Sequence, residues 1–316
     1  MQSKKIVVLG TGGTIAGTAV NPSSNIDYTA ANLGISQLVG GIAGLGDTVT
    51  EQVAQIDSKD MSFGVWTSLV SRVQHHLSQN DVQGVVISHG TDTLEETAYF
   101  LQAVLSPAKP VVLTCGMRPA SALAPDGPQN LRDAATVARH AGAHGVLVVC
   151  AGDVHSALDV QKVHTYKLNA FSSGDAGVTA VVEEHCLRIF KKWPETQHRL
   201  AQAAIKNIAI LNAVHTWPKV EIVMSYAGVD GSLVDALLAV GVRGLVVAGT
   251  GNGTVHQALQ GALLKAQSQG VQVVRSTRCT QGRVLPRLDD CIASSNGLSP
   301  VKARIEMMLQ LMGLAL

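Results

Sequence analysis

The strongest constraint on the fold of this 316-residue chain is a set of short apolar runs, most of which lead into Gly, Ser or Thr. They are Ile6–Leu9, Val85–Ser88, Val111–Thr114, Val146–Cys150, Val220–Tyr226 and Leu245–Ala248. Each is rich in Val, Ile or Leu, the signature of a strand buried on both faces. Segments of helical character lie between them, among them Thr93–Leu105, Gly127–Ala141, Leu233–Val240 and Val255–Gln267. Strand and helix in alternation define an α/β protein with mainly parallel sheets. The alternation breaks at residues 190–207 (FKKWPETQHRLAQAAIKN), a polar, charged stretch containing Pro194, and resumes near Val220. The expected organisation is two α/β domains: a larger N-terminal catalytic domain over residues 1–190, a connection over 191–216 and a smaller C-terminal domain over 217–316.

Composition removes several classes of function. With 46% apolar and 15% charged residues the chain is globular, and its length lets it bury a core without a metal or disulfide. A net charge of +1, no basic stripe and only 3% aromatic residues speak against nucleic acid as a partner. No apolar stretch approaches the ~20 residues of a membrane span, and the run after Lys4-Lys5 is too short for a signal-peptide core. The five cysteines are odd in number and form no C-x-x-C pair, which argues against a disulfide framework or a zinc site. These features point to the cytoplasm, or to the periplasm where a leader peptide has been removed.

In open parallel sheets ligands bind beyond the carboxyl ends of the strands, so the residues that follow the apolar runs carry most information. Gly10-Thr11-Gly12-Gly13-Thr14-Ile15-Ala16-Gly17 follows the first run. Its glycines permit a tight turn whose backbone N–H groups can hold an anion or oxyanion. It fails G-x-G-x-x-G, because Ile15 stands at the third glycine position, and it lacks the Lys of a P-loop. Ser88-His89-Gly90-Thr91-Asp92-Thr93 follows the second run. Read plainly it is a helix start, with Asp92 or Thr93 as cap and Glu95 and Glu96 in the first turn. That leaves unexplained why His-Gly-Thr-Asp stands at a strand end. Two strand ends thus each offer a threonine in a glycine-bearing turn, and a hydroxyl needs a base to become a nucleophile. An ordinary carboxylate such as Asp92 is a poor base at neutral pH. Lys162, beyond the fourth run, reads as a solvated lysine unless it is held near Asp92 and partly desolvated; it could then accept a proton from Thr91.

Together these segments resemble the bacterial L-asparaginase family, nearer its type II branch. The resemblance rests on Thr11–Gly17 (TGGTIAG), His89–Leu101 (HGTDTLEETAYFL) and Asp159–Thr165 (DVQKVHT). Supporting stretches are Gln55–Met61, Gly116–Pro119, Asp126–Leu131, Gly249–Gly253 and Val273–Ser276, in family order from residue 6 to about 276. The resemblance implies hydrolysis of L-asparagine to L-aspartate and ammonia through an acyl-enzyme on Thr14, with Tyr28, in a mobile segment, activating it. Thr91, Asp92 and Lys162 would form a second triad. Ser58, Thr91 and Asp92 would hold the substrate, and Asn252 would enter from a neighbouring subunit. It also implies no metal or organic cofactor, a small amino-acid substrate, and a homotetramer built as a dimer of dimers.

Two positions depart from the family pattern. Lys59 stands where Gln or Glu is usual, and the stretch from Cys279 to Asp290 lacks the Glu expected to bind the substrate's α-amino group, although Asp289 could replace it. Both changes make that place more positive and bear on the choice between asparagine and glutamine. The alternatives are therefore a dual glutaminase-asparaginase, or an amidase for a modified or peptide-linked asparagine. A non-catalytic amino-acid-binding protein on the same fold is disfavoured because every proposed catalytic side chain is present, and a nucleotide-binding protein because the glycine motifs fail.

Overall fold

The structure is a computed structural model and describes residues 4–194 and 198–316. The chain divides into two compact units, Met1–Ile208 and Ala209–Leu316. Of the expected connection over 191–216, residues 195–197 lie outside the described residues, and helix α5 (His198–Ala213) occupies much of the remainder.

The first unit is built on one eight-stranded sheet. Its parallel part comprises β1 (Lys5–Gly12), β2 (Thr48–Ile56), β3 (Val82–Ser88), β4 (Val111–Thr114) and β5 (Val146–Cys150). β6 (Asp153–Ser156), β9 (Ala180–Glu183) and β10 (Cys186–Ile189) continue it in antiparallel fashion. Between them in sequence, β7 (Gln161–Lys162) and β8 (Phe171–Ser172) form a separate antiparallel pair. The sheet order is β10-β9-β6-β5-β4-β3-β1-β2.

The apolar runs at β1, β3, β4 and β5 are buried on both faces. α2 (Phe63–Leu77) and α3 (Leu94–Leu105) cover one face, while α4 (Gly127–Arg139) covers the other, and α1 (Ile35–Gly40) packs beside β1 and β2. On the α4 face, Ile6, Val8, Val86, Val112 and Leu147 meet Leu131, Ala134, Val137 and Ala138 in one cluster. Each large side chain buried there contributes about 1.5–3 kcal/mol of transfer free energy.

Strand order reverses at β1, which has β2 on one side and β3 on the other. Such a reversal opens a crevice at the carboxyl ends of the two strands concerned, here β1 and β3. These are the strands that run into the turns of Thr14 and Thr91.

The second unit has a parallel sheet of β11 (Val220–Met224), β12 (Gly244–Gly249), β13 (Gln272–Thr277) and β14 (Ala293–Ser294). α6 (Ser232–Ala239) and α7 (Gln257–Ser268) bury Val234, Leu259 and Leu263 against Leu245 and Val247, and α8 (Pro300–Leu311) packs on β11, β12 and β13. Both units are α/β with mainly parallel sheets. No helix among the described residues is long and apolar enough to cross a membrane.

Candidate active site

Beyond β1 the chain turns through Gly12 and Gly13, with φ of 103° and 85°, into a short 3-10 helix over Thr14–Ala16. Beyond β3 it turns through His89 and Gly90 into Thr91. The two turns touch. A Cβ on Gly13 would lie 2.2 Å from Gly90 Cα, and one on Gly90 would lie 2.4 Å from Ser58 Oγ. Only glycine permits this approach, and a side chain at Gly13 would also meet the penalty for positive φ. Gly127, at the start of α4, makes the same allowance for Ile15, whose Cγ1 lies 2.6 Å from a would-be Cβ. Thr14 is thereby wedged between the β3 turn and α4.

The Thr14 hydroxyl is 2.7 Å from the Tyr28 hydroxyl. Tyr28 belongs to a segment pinned by main-chain hydrogen bonds between Thr18 and Thr29 and by a 2.7 Å bond from Ala19 N to Ser121 Oγ. On the other turn, Lys162 Nζ donates to Thr91 Oγ1 at 2.8 Å and to Asp92 Oδ1 at 2.6 Å. β7 carries Lys162, whose main-chain N–H donates to Glu95 Oε1 on α3. The Lys162 side chain is 19% exposed and that of Asp92 52%, so the pair sits at the mouth of the site with its carboxylate facing outward. Ser58 is buried behind them; its Oγ accepts from Asp92 N at 3.1 Å and its carbonyl accepts from Thr93 Oγ1 at 2.8 Å. Thr14 and Thr91 are likewise buried, and their backbone N–H groups meet no acceptor among the described residues. Free N–H groups in such turns can accept developing negative charge.

A relay not anticipated from the sequence holds the Thr91 turn from below. Trp66 Nε1 donates to Thr97 Oγ1 at 2.9 Å, Thr97 lies 2.9 Å from His89 Nε2, and His89 Nδ1 lies 2.6 Å from the Gly90 carbonyl. One tautomer satisfies every link: Thr97 O–H donates to Nε2, and Nδ1–H donates to Gly90 O. Burial pushes the His89 imidazole down to about 4, so it is neutral here and serves as a strut. Its only sequence signal was a histidine between a strand and a threonine turn. Asn130 and Asp126 brace the neighbouring strand end: Asn130 Nδ2 donates to Cys115 O, Asn130 Oδ1 accepts from Ala151 N, and Asp126 accepts from the N–H groups of Met117 and Arg118. The Cys115 and Cys150 sulfurs are 3.7 Å apart; their hydrogen bond and burial push the Cys115 thiol well up, so Cys115 packs as a neutral thiol.

The structure therefore brings Thr14, Tyr28, Ser58, Thr91, Asp92 and Lys162 to one end of one sheet. Asn252 belongs to the second unit, at the tip of a turn closed by main-chain bonds between Thr250 and Thr254. Both ends of its side chain are occupied: Nδ2 donates to Leu285 O and Oδ1 accepts from Leu285 N. Lys59 does not make its surroundings positive as expected, because Asp57 (2.8 Å) and Asp60 (3.1 Å) both pair with it. Asp289 lines a cavity of about 250 Å³ in the second unit with Arg275, Arg287 and Asp290. Among the described residues no group of three or more His, Cys, Asp or Glu side chains is placed to hold a metal ion.

Threonine hydroxyls on touching turns, each with its own hydrogen-bonded partner and beside free N–H groups, thus stand together beyond the carboxyl ends of β1 and β3. The Asparaginase, N-terminal family profile matches residues 5–195, and the Glutaminase/Asparaginase C-terminal domain profile matches residues 219–313. The chain belongs to the asparaginase family. It is 35% identical over 315 residues to L-asparaginase 2 of Bacillus subtilis (strain 168), covering 97% of this chain and 82% of that protein. It is 37% identical over 320 residues to glutaminase-asparaginase of Pseudomonas fluorescens biotype A, covering 97% and 86%. The crystal structure of a probable cytoplasmic L-asparaginase from Campylobacter jejuni superposes with a TM-score of 0.89 at 33% identity, covering 98% of this chain and 95% of that one.

Proposed function

We propose that this enzyme hydrolyses the side-chain amide of L-asparagine to L-aspartate and ammonia with Thr14 as nucleophile. The observation that carries this is the pairing of the Thr14–Tyr28 contact with the Lys162–Thr91–Asp92 network across touching glycine turns. Thr14 Oγ attacks the amide carbonyl carbon while its proton passes to the Tyr28 oxygen and the Tyr28 hydroxyl proton moves on to the amide nitrogen. The N–H groups of Thr14 and Thr91 take the oxyanion. Collapse expels the amide nitrogen, which leaves with a proton as ammonia, and an aspartyl ester remains on Thr14. Water then cleaves the ester: its proton passes by way of the Thr91 hydroxyl, which the Lys162 ammonium holds, to Thr14 Oγ as the ester C–O bond breaks. The Asp92 carboxylate holds the substrate's α-ammonium. Ser58 completes the cradle for the α-carboxylate. The chemistry asks for no metal or organic cofactor.

The proposed assembly is a homotetramer in which Asn252 of one subunit borders a neighbour's site. We place the enzyme in the cytoplasm, where five free thiols are the expected state. Glutamine is the second candidate substrate, because the similarity to the glutaminase-asparaginase is as high as that to the asparaginase.

The test is ammonia release by purified protein on L-asparagine, L-glutamine and N-acetyl-asparagine. Saturation on asparagine at low concentration supports the proposal. Turnover restricted to the acetylated compound moves the substrate to a blocked asparagine, and no release from any of them refutes an amidase.

A further inference from the structure

A second cavity in the first unit takes no part in this chemistry. It has a volume of about 480 Å³ and lies among the loop before β2, the last turns of α4 and the β9–β10 hairpin. Ala135 and Leu187 form its apolar lining, and Arg132, Arg139, His140 and His185 are its basic groups. Among the described residues neither arginine pairs with a carboxylate. Arg139 donates through its Nη2 alone to the carbonyls of Leu45 and Asp47, which compensate its charge only partly, and burial holds it below its ordinary value. Arg132 donates Nε to Ala43 O at 3.1 Å and has its two terminal amino groups to spare. His140 Nδ1 is buried and has no hydrogen-bond partner among the described residues. Two carboxylates act on this charge from a distance, Asp133, which Gln129 holds, on Arg132 and His185, and Asp47 on Arg139, but neither forms an ion pair with them among the described residues, and Glu183 pairs with Arg188.

An independent observation points to the same place. His185 reaches the cavity from a two-residue hairpin turn in which Glu184 has φ of 46° and His185 has φ of 64°. Such a turn favours Asn-Gly, and a left-handed conformation costs an ordinary residue about 1–2 kcal/mol. The chain keeps a strained histidine where glycine would fold better, and strain of this kind gathers at ligand sites.

We propose that this cavity binds a small polyanion of the phosphate-ester class, with Arg132 as the principal anchor and His185 closing over it. Guanidinium groups match phosphate oxygens bidentately, and the cavity is far larger than one inorganic phosphate needs.

The experiment is calorimetric titration and thermal melting of the intact enzyme at low salt with adenosine triphosphate, inorganic phosphate and citrate as probes. The triphosphate is expected to bind saturably and raise Tm, with phosphate weaker. Arg132→Gln is expected to weaken triphosphate binding by about tenfold or more, as loss of a charge-assisted pair should. His185→Gly is the diagnostic variant: it relieves the turn, so Tm without ligand should rise while affinity falls several-fold, which a purely structural histidine would not give. Asparagine turnover without anion should stay unchanged in both variants. No saturable binding below about 10 mM, equal binding by Arg132→Gln, or citrate binding as tightly as the triphosphate would each overturn the assignment.

Discussion

At the scale of single residues, two hydroxyls separate the proposed roles. Thr14→Ala removes the hydroxyl together with the γ-methyl of a residue in the turn beyond β1 rather than in the apolar core, so kcat should fall about 10³-fold or more with little change in Tm. Substantial residual ammonia release from that variant would remove Thr14 as nucleophile. Tyr28→Phe keeps the ring and deletes the hydroxyl 2.7 Å from Thr14; general acid–base help of this kind is worth about 10²–10⁴-fold, and kcat should drop within that range while KM changes little. Lys162→Met should cripple turnover comparably, and near-normal rates there would detach the second triad from the mechanism. Gly13→Ala would press a methyl onto Gly90 at positive φ, at a cost of about 3 kcal/mol, and chemical denaturation measures it.

At the scale of elements, the β3 turn gives the protein a pH dependence of stability. His89 is held at about 4 when folded, against 6.5 for the ordinary group. Both states are neutral above that ordinary value. As pH falls from about 6.5 to 4 the unfolded chain binds a proton that the native turn refuses, and roughly 3 kcal/mol of stability is lost. Further acidification removes the contribution of Glu51, which Arg72 and His76 hold down to about 2. Urea midpoints at pH 7, 5 and 4 should trace the first loss, and His89→Gln should flatten it. The same elements show what a sequence can display. β1, β3, β4 and β5 were legible because both their faces are buried, which leaves unbroken apolar runs. β2 was not: as the sheet's outer strand it is half-wet and reads TVTEQVAQI. β6, β9 and β10 were missed because four-residue antiparallel strands carry too few side chains to set a period. The threonines were legible as strand-end residues. The reach of Lys162 to them was not, since it depends on how a short strand folds back across 70 positions of sequence.

At the scale of the whole molecule, the proposed site needs more than one chain. Light scattering should give about four times the 33.0 kDa chain mass, and dilution into monomers should abolish turnover. Full activity of an isolated monomer would refute the shared site. Asn252→Ala frees the Leu285 main chain from both of its bonds, so kcat/KM should fall while the tetramer persists.

The contact between Gly13 and Gly90 carries a consequence for how such an enzyme can change. Because backbone meets backbone there, the spacing of the two turns is independent of any side-chain rotamer. Lys59 with its two aspartates, expected at the substrate's amino end, lies outside that contact. A substitution at Lys59 should therefore alter which substrate is accepted while leaving the register of the two turns unchanged.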